Sequence, residues 1–414
     1  MNAFGFGPLL VTLLIQSFSA LSLMAVPVLI PAEPGLPRLT PSGIGLYIFC
    51  AYAGAMLGTL SSGALVDRWG AIRTSQWALI LSAAGLILAA LYPDAIMLAA
   101  VMIGMGYGPI TPASSHVLIQ TTPAKRLNLV FSIKQTGVPV GVAMSGFFIP
   151  PLAVTGWMWT LLILALACLV VVASAKPIQA ELDALTSRRI NPASPNSPNA
   201  LSVRFFMRQL FEPLVVIWTF KKLRSMAAVS FVLSGIQIAL TSYLVSFLTA
   251  GLLMSALAAG SLLALSQVGG IIGRIVWGHL SDHFISPLRM LALLSLVIAV
   301  SAFATGSLML WPTSPPGLLL AVLMFVFGAT ASGWNGVYLA EVARQAPPGA
   351  VSKATSGTLA CTFLGVMAGA PLFGFLVSGH GGFPTAFGVQ ALLALGVAIS
   401  LFIFSQQTVK FLSP

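Results

Sequence analysis

Twelve continuous apolar runs limit what this chain can fold into. They fall near residues 7–31, 43–65, 73–92, 95–120, 127–152, 156–175, 226–249, 255–279, 288–311, 316–342, 351–378 and 384–406. A run of about 20 residues is what an α-helix needs to cross the hydrocarbon core of a bilayer. Strands of a membrane barrel alternate apolar and polar residues over about ten positions, and these runs do not alternate. Hydrophobic residues make up 58% of the 414 and charged residues 7%. A soluble domain is about one quarter charged, so this chain must face lipid. The expected fold is an all-α polytopic membrane protein with twelve transmembrane helices.

A net charge of +11 would suit a nucleic-acid partner if it were gathered on one face. Here the basic residues sit in short loops. All but Arg38, Lys134 and Arg274 of the 19 Lys and Arg follow even-numbered runs or lie in the C-terminal tail. The positive-inside rule then places both termini in the cytoplasm, with the chain in a bacterial inner (plasma) membrane. The opening MNAFGFG has no Lys or Arg, so the first run reads as a retained span rather than a cleaved leader. Residues 176–225 hold eight of the basic residues and the Pro/Asn/Ser-rich piece INPASPNSPNALS (190–202), the composition of a flexible linker. The apolar core of the following 203–224 is too short to span and is interrupted by Pro213, so an interfacial helix is expected there. The organisation is thus a six-helix bundle over 1–175, a cytoplasmic linker over 176–225 and a second bundle over 226–414. Cys50, Cys168 and Cys361 lie inside apolar runs without metal-ligand spacing, and no metal or cofactor is expected.

The two halves repeat each other. GALVDRWG (63–70) after run 2 has a counterpart in GHLSDHFI (278–285) after run 8. GMGYGPITPASSHVLIQTTP (104–123) matches GATASGWNGVYLAEVARQAP (328–347) in length, from glycine to proline. Gln16 and Gln237 are matched polar residues in runs 1 and 7. Two pseudo-symmetric bundles of six helices are a transporter plan. GxxxG pairs at 54/58, 104/108, 137/141, 269/273 and 365/369 predict close helix contacts. Pro109, Pro112, Pro139 and Pro371 predict bends.

These features resemble the major facilitator superfamily of secondary transporters over essentially the whole chain. Gly63, Asp67, Arg68 and Gly70 match its signature loop after span 2. Gly278, Asp282 and His283 form a weaker second copy, with Ile285 in place of a glycine and His283 in place of the usual arginine. The resemblance implies that these loops latch the two halves together on the cytoplasmic side. GRIVWGHLSD (273–282) is similar to the span-8 pattern of oxalate–formate exchangers and monocarboxylate transporters, which implies that Arg274 meets a substrate carboxylate. FSIKQTGVPVG (131–141), with Lys134, is similar to strings in bacterial permeases grouped with cyanate transporters. The family's proton-driven drug exporters carry an arginine early in span 4 and a Gly-Pro-x-x-Gly-Gly string in span 5. VMIGMG (101–106) and TGVPVG (136–141) stand in those places, so drug efflux is the second reading.

An ion inside hydrocarbon is expensive and usually functional. Lys134 and Arg274 are the two cations that lie about two turns inside a run. Arg274 offers a planar fork for a carboxylate and Lys134 a point charge; snorkelling to helix-end carbonyls is the competing structural explanation. The eight acids are Glu33, Asp67, Asp94, Glu181, Asp183, Glu212, Asp282 and Glu341, none of them mid-membrane, which disfavours a cationic substrate. Gln16, Tyr52, Tyr107, Gln135, Gln237, Tyr243, Gln267, Trp334, Asn335 and Tyr338 are polar or aromatic residues within spans. They either contact the rest of a substrate or hydrogen-bond between helices. Glu341 is expected in a gate-side salt bridge with Arg289, Arg344 or Lys353, and Glu341 and Arg344 in a cytoplasmic charge network with Asp67, Arg68, Asp282 and His283. Glu33, His116 and Glu341 are the candidate proton sites. The expected activity is alternating-access transport of a small organic anion, a mono- or dicarboxylate, by proton symport or anion exchange. A monomer in the lipid bilayer is expected, with no nucleic-acid partner and no enzymatic activity.

Overall fold

A computed structural model describes residues 7–32, 40–123, 127–189, 215, 217–310, 315–347, 351–379 and 381–410. All regular structure among them is helical, and twelve helices are long and apolar enough to cross a membrane. The spans are Gly7–Leu29, Pro41–Gly63, Ala71–Leu91, Pro93–Thr121, Ile133–Thr155 and Trp157–Ser174, then Lys221–Gly251, Ala256–His283, Pro287–Leu310, Gly317–Gln345, Gly357–Ser378 and Gly382–Gln406. We number them 1 to 12.

Two boundaries differ from the sequence expectation. Span 7 begins at Lys221, so Lys221, Lys222 and Arg224 form its first turns instead of closing a separate interfacial helix. Their long stems let a helix start among polar headgroups while the charges stay in water. Lys176–Arg189, expected within the linker, is a 14-residue helix. The linker piece 190–202 and all of 203–214 lie outside the described residues.

The helices gather into two compact units. The first comprises Met1–Val26, Cys50–Ser145 and Leu152–Phe211, and the second Pro27–Phe49, Gly146–Pro151 and Glu212–Pro414.

In the first unit, spans 2 and 4 approach through glycine. A side chain at Gly54 would strike the Val101 carbonyl, at Gly58 the Met105 carbonyl, and at Gly104 the Ala51 carbonyl. Span 5 meets span 1 where Gly141 lies on the Ser17 carbonyl. Lipid is as apolar as the helix surfaces, so association relies on this close backbone contact.

The second unit repeats the arrangement. Gly269 meets Phe325, Gly273 meets Ala329 and Gly328 meets Ser266, each at the carbonyl. Every one of these pairs is equivalent to a pair in the first unit under the two sequence matches. Span 11 packs on span 7 through Gly365 and Gly369. Segments 41–49 and 146–151 also join this unit: the Tyr243 hydroxyl is directed at the carbonyls of Pro41 (2.8 Å) and Ala370 (2.9 Å).

Spans 4, 5 and 10 are broken. Span 4 consists of Ile96–Tyr107 and Ile110–Thr121, and span 10 of Gly317–Ala331 and Asn335–Gln345. The interruptions fall at matched positions, Gly108 corresponding to Ser332. In span 4 the cause is proline, because Pro112 has no N–H for the Gly108 carbonyl four residues earlier. Span 5 is interrupted at Thr136, between Leu127–Gln135 and Gly137–Leu152. Pro139 likewise leaves the Gln135 carbonyl without a helical donor.

Candidate functional site

Each unit holds a cation beside a broken span. Lys134 lies in the last turn of Leu127–Gln135, where the break presents the partial negative charge of a helix end. Its side chain is 1% exposed. The Nζ atom has no hydrogen-bond partner among the described residues. One turn along, Gly137 packs so closely on Gln16 that a side chain there would press on its Cβ and Cγ. Gln16 is fully buried, and its Oε1 accepts from the Thr111 hydroxyl at 3.2 Å. That bond directs the amide nitrogen away from Thr111, and Nε2 too lacks a partner among the described residues. Two buried groups of the first unit thus offer only N–H donors. Neither is reached by solvent in this conformation, so a ligand meets them only after the helices move.

Arg274 is the corresponding cation of the second unit. Its Nε donates to the Ser332 carbonyl at 3.0 Å, the carbonyl at the break in span 10. Trp277, one turn on, donates its indole N–H to Ala329 O at 2.8 Å. Beside the break, Ser332 and Trp334 are fully buried, and Ser332 Oγ and Trp334 Nε1 have no partner among the described residues. Trp334 stacks edge-on against Tyr338, with ring centroids 5.2 Å apart. Asn335 donates to Gln237 Oε1 at 3.2 Å. This pair is the counterpart of Thr111 and Gln16, since Thr111 and Asn335 share one position in the sequence match. Thr111 had not been singled out, although that match points to it.

The repeat also explains Arg274. Counting back four residues from Gly63 and Gly278 reaches Thr59 and Arg274. Thr59 Oγ1 donates to the Gly108 carbonyl at 3.1 Å, as Arg274 does to Ser332. A small hydroxyl caps one break, and a guanidinium, with a charge and a planar fork that threonine lacks, caps the other.

Other candidate residues divide between the two units. Tyr52 and Tyr107 sit with ring centroids 6.1 Å apart, and Gln135 is partly exposed beside Lys134. Gln267 is buried and donates to Ser266. Tyr243 fastens segment 41–49 to span 11. Glu341 is buried, accepts from Gln345 at 2.6 Å, and lies 3.9 Å from the Arg344 guanidinium. His116 Nδ1 is 3.3 Å from the Gln120 amide. Arg68, Asp282 and His283 are exposed; the side chain of Asp67, and Glu33 altogether, lie outside the described residues.

The cassette carries one further contact that sequence reasoning passed over. Gly70 has φ +90°, a left-handed conformation suited to glycine, and a Cβ there would collide with the Asp183 carboxyl. Asp183, on helix Lys176–Arg189, accepts from the backbone N–H groups of Ile72 (2.8 Å) and Arg73 (3.2 Å). It thereby caps span 3 at its positive end. Burial pushes the Asp183 carboxyl above the usual aspartate value, against the pull of those two N–H groups, the Arg73 charge and Gln179. No local pattern joins residues 111 positions apart, so only the three-dimensional structure exposes this cap.

Twelve spans in a doubled set of six, with matched breaks in spans 4 and 10, define a two-repeat membrane carrier. Comparison with known proteins makes the class specific. A family model described as Major Facilitator Superfamily matches residues 1–305 and, in a second match, 227–410. The chain belongs to that superfamily: it is a secondary transporter of small molecules and a multi-pass integral membrane protein, and not an enzyme. An uncharacterized MFS-type transporter of Mycobacterium tuberculosis (strain CDC 1551 / Oshkosh) is 25% identical over 393 residues, covering 94% of this chain and 82% of its own. Among solved structures, a mutant of the peptide transporter POT aligns with TM-score 0.74 at 15% identity, over 97% of this chain and 94% of that one. A mutant of the nucleoside transporter NupG gives 0.73 at 16%, over 95% and 99%. A D-xylose-proton symporter gives 0.69 at 15%, over 96% and 97%. At such identities the structural likeness establishes the fold alone.

Proposed function

We propose that this transporter moves a small organic anion, a mono- or dicarboxylate, and that Lys134 and Arg274 both engage it during the transport cycle. The observation that carries the proposal is Lys134 Nζ, a buried ammonium group with no hydrogen-bond partner among the described residues. A buried cation is tolerated when something of opposite charge meets it. Gln16 Nε2 and Trp334 Nε1 are likewise donors without partners, and a carboxylate supplies acceptors only. The basic loops support a bacterial inner membrane with cytoplasmic termini. Coupling is by proton symport or by exchange of one anion for another.

The test is a thermal-shift panel on protein purified in detergent, setting mono-, di- and aromatic carboxylates against lipophilic cations. Ligands that bind the folded state raise the apparent melting point. A shift with one carboxylate class, lost in Arg274→Ala, is the expected result. Shifts with lipophilic cations alone would overturn the anion reading in favour of drug efflux.

A further inference from the structure

His279 and His283 stand one turn apart at the end of span 8, and both are exposed. Their ring centroids are 4.4 Å apart, with planes inclined by 36°, so the imidazoles lie side by side on one face of the helix. His283 Nδ1 lies 3.0 Å from the His279 carbonyl oxygen. A carbonyl only accepts, so Nδ1 carries the hydrogen and the lone pair of the neutral ring is on Nε2. Metal-binding histidines are commonly fixed in this way, one nitrogen donating to a carbonyl while the other faces the ion. Histidines at i and i+4 share a helical face, the spacing with which a helix grips zinc. Imidazole suits zinc, copper and nickel. Asp282, exposed between the two, adds a negative charge that favours a cation.

The internal repeat shows that this pair is particular to the second cassette. The equivalent positions in the first cassette are Ala64 and Arg68, which ligate nothing. The anion site proposed above uses neither histidine.

We propose that His279 and His283 chelate a divalent transition-metal ion of borderline softness, such as Zn2+, through their Nε2 atoms, with water completing the coordination. Two protein ligands make an exchangeable site, unlike the closed four-ligand sites that hold structural zinc. The bound ion would staple the last turn of span 8 where the chain enters the cassette loop.

The test uses the full chain, purified on an affinity tag free of histidine and titrated calorimetrically with zinc chloride. One saturable site is expected. His279→Ala or His283→Ala should weaken it by at least about tenfold, since losing even an outer-shell partner costs roughly 10–100-fold. His116→Ala should leave the titration unchanged. Hydrogen exchange provides a second readout: Zn2+ should slow the amides of 280–285 in the native chain and not in the double variant. Zinc bound as tightly by the double variant as by the native chain, or no saturable binding at all, would overturn the proposal.

Discussion

Replacing Lys134 with methionine separates a functional cation from a structural one. Methionine keeps the length and flexibility of the lysine stem, so packing around the methylenes changes little. What disappears is an ammonium group, 1% exposed and without a partner among the described residues. A charged group at the centre of a spanning helix costs about 2.5–3.5 kcal/mol on insertion scales, an upper bound for Lys134, which stands near the start of span 5. Exchanging buried ions for apolar residues stabilises by roughly 1–4 kcal/mol. The carbonyl ends at the Thr136 break return part of that cost, about 0.3–1 kcal/mol. Lys134→Met should therefore gain about 1–3 kcal/mol in the unliganded protein. For a chain of this length that corresponds to a rise of roughly 1–6 °C in apparent melting temperature. The comparison requires equal scan rates, because membrane proteins often unfold irreversibly. The same variant should lose the carboxylate-induced shift and the transport that depends on it. A variant that melts below the native protein would refute the reasoning, because Lys134 would then be holding the fold together.

Three measurements bear on other parts of the structure. Gly104→Ala and Gly328→Ala each drive a methyl group into a carbonyl of the neighbouring span, Ala51 or Ser266; overpacking of this kind costs about 1–3 kcal/mol. The two losses in detergent melts should be similar, and a neutral result at either would refute the close contact there. Asp183→Asn tests the cap on span 3. Because burial raises the Asp183 value in the folded state, the folded chain takes up this proton more readily than the unfolded one. Its stabilising share is complete below the ordinary aspartate value and is lost as pH rises through the raised one. The native protein should thus gain on Asp183→Asn as the medium is acidified, and a gap that narrows would refute the assignment.

The fold was legible because its driving pattern is one-dimensional. Run length and loop charge locate the spans without tertiary information, since lipid requires each helix to satisfy its own backbone. The boundaries that moved are those where that logic weakens. Lys221, Lys222 and Arg224 look like a surface segment by hydropathy, yet they begin a spanning helix. Lys176–Arg189 is too polar to read as a span, and what holds it in place, the burial of Leu182 and the Asp183 contact with span 3, depends on another part of the chain. The break in span 4 could be read from Pro109 and Pro112. Its twin at Ser332–Trp334 contains no proline, and there the internal repeat supplies the only signal. The candidate cations were visible as isolated charges in apolar runs. Their surroundings were not, because hydrogen-bond partners depend on which helices meet.

The repeat offers more than a topology. Two copies of one unit under one set of contacts form an internal control, in which shared features are the demands of the scaffold and differences mark specialisation. The glycine contacts between spans 2 and 4 recur between spans 8 and 10, and the Gln16–Thr111 pair recurs as Gln237–Asn335. Those features belong to the architecture. Thr59 and Arg274 occupy one position and meet one kind of broken span, the first with a hydroxyl and the second with a charged guanidinium. The charge that Arg274 brings to a position where its counterpart has only a hydroxyl is a stronger argument for a substrate role than its depth in the membrane. The same logic applies to the cassettes, where Ala64 and Arg68 serve the first copy and a stacked pair of histidines serves the second.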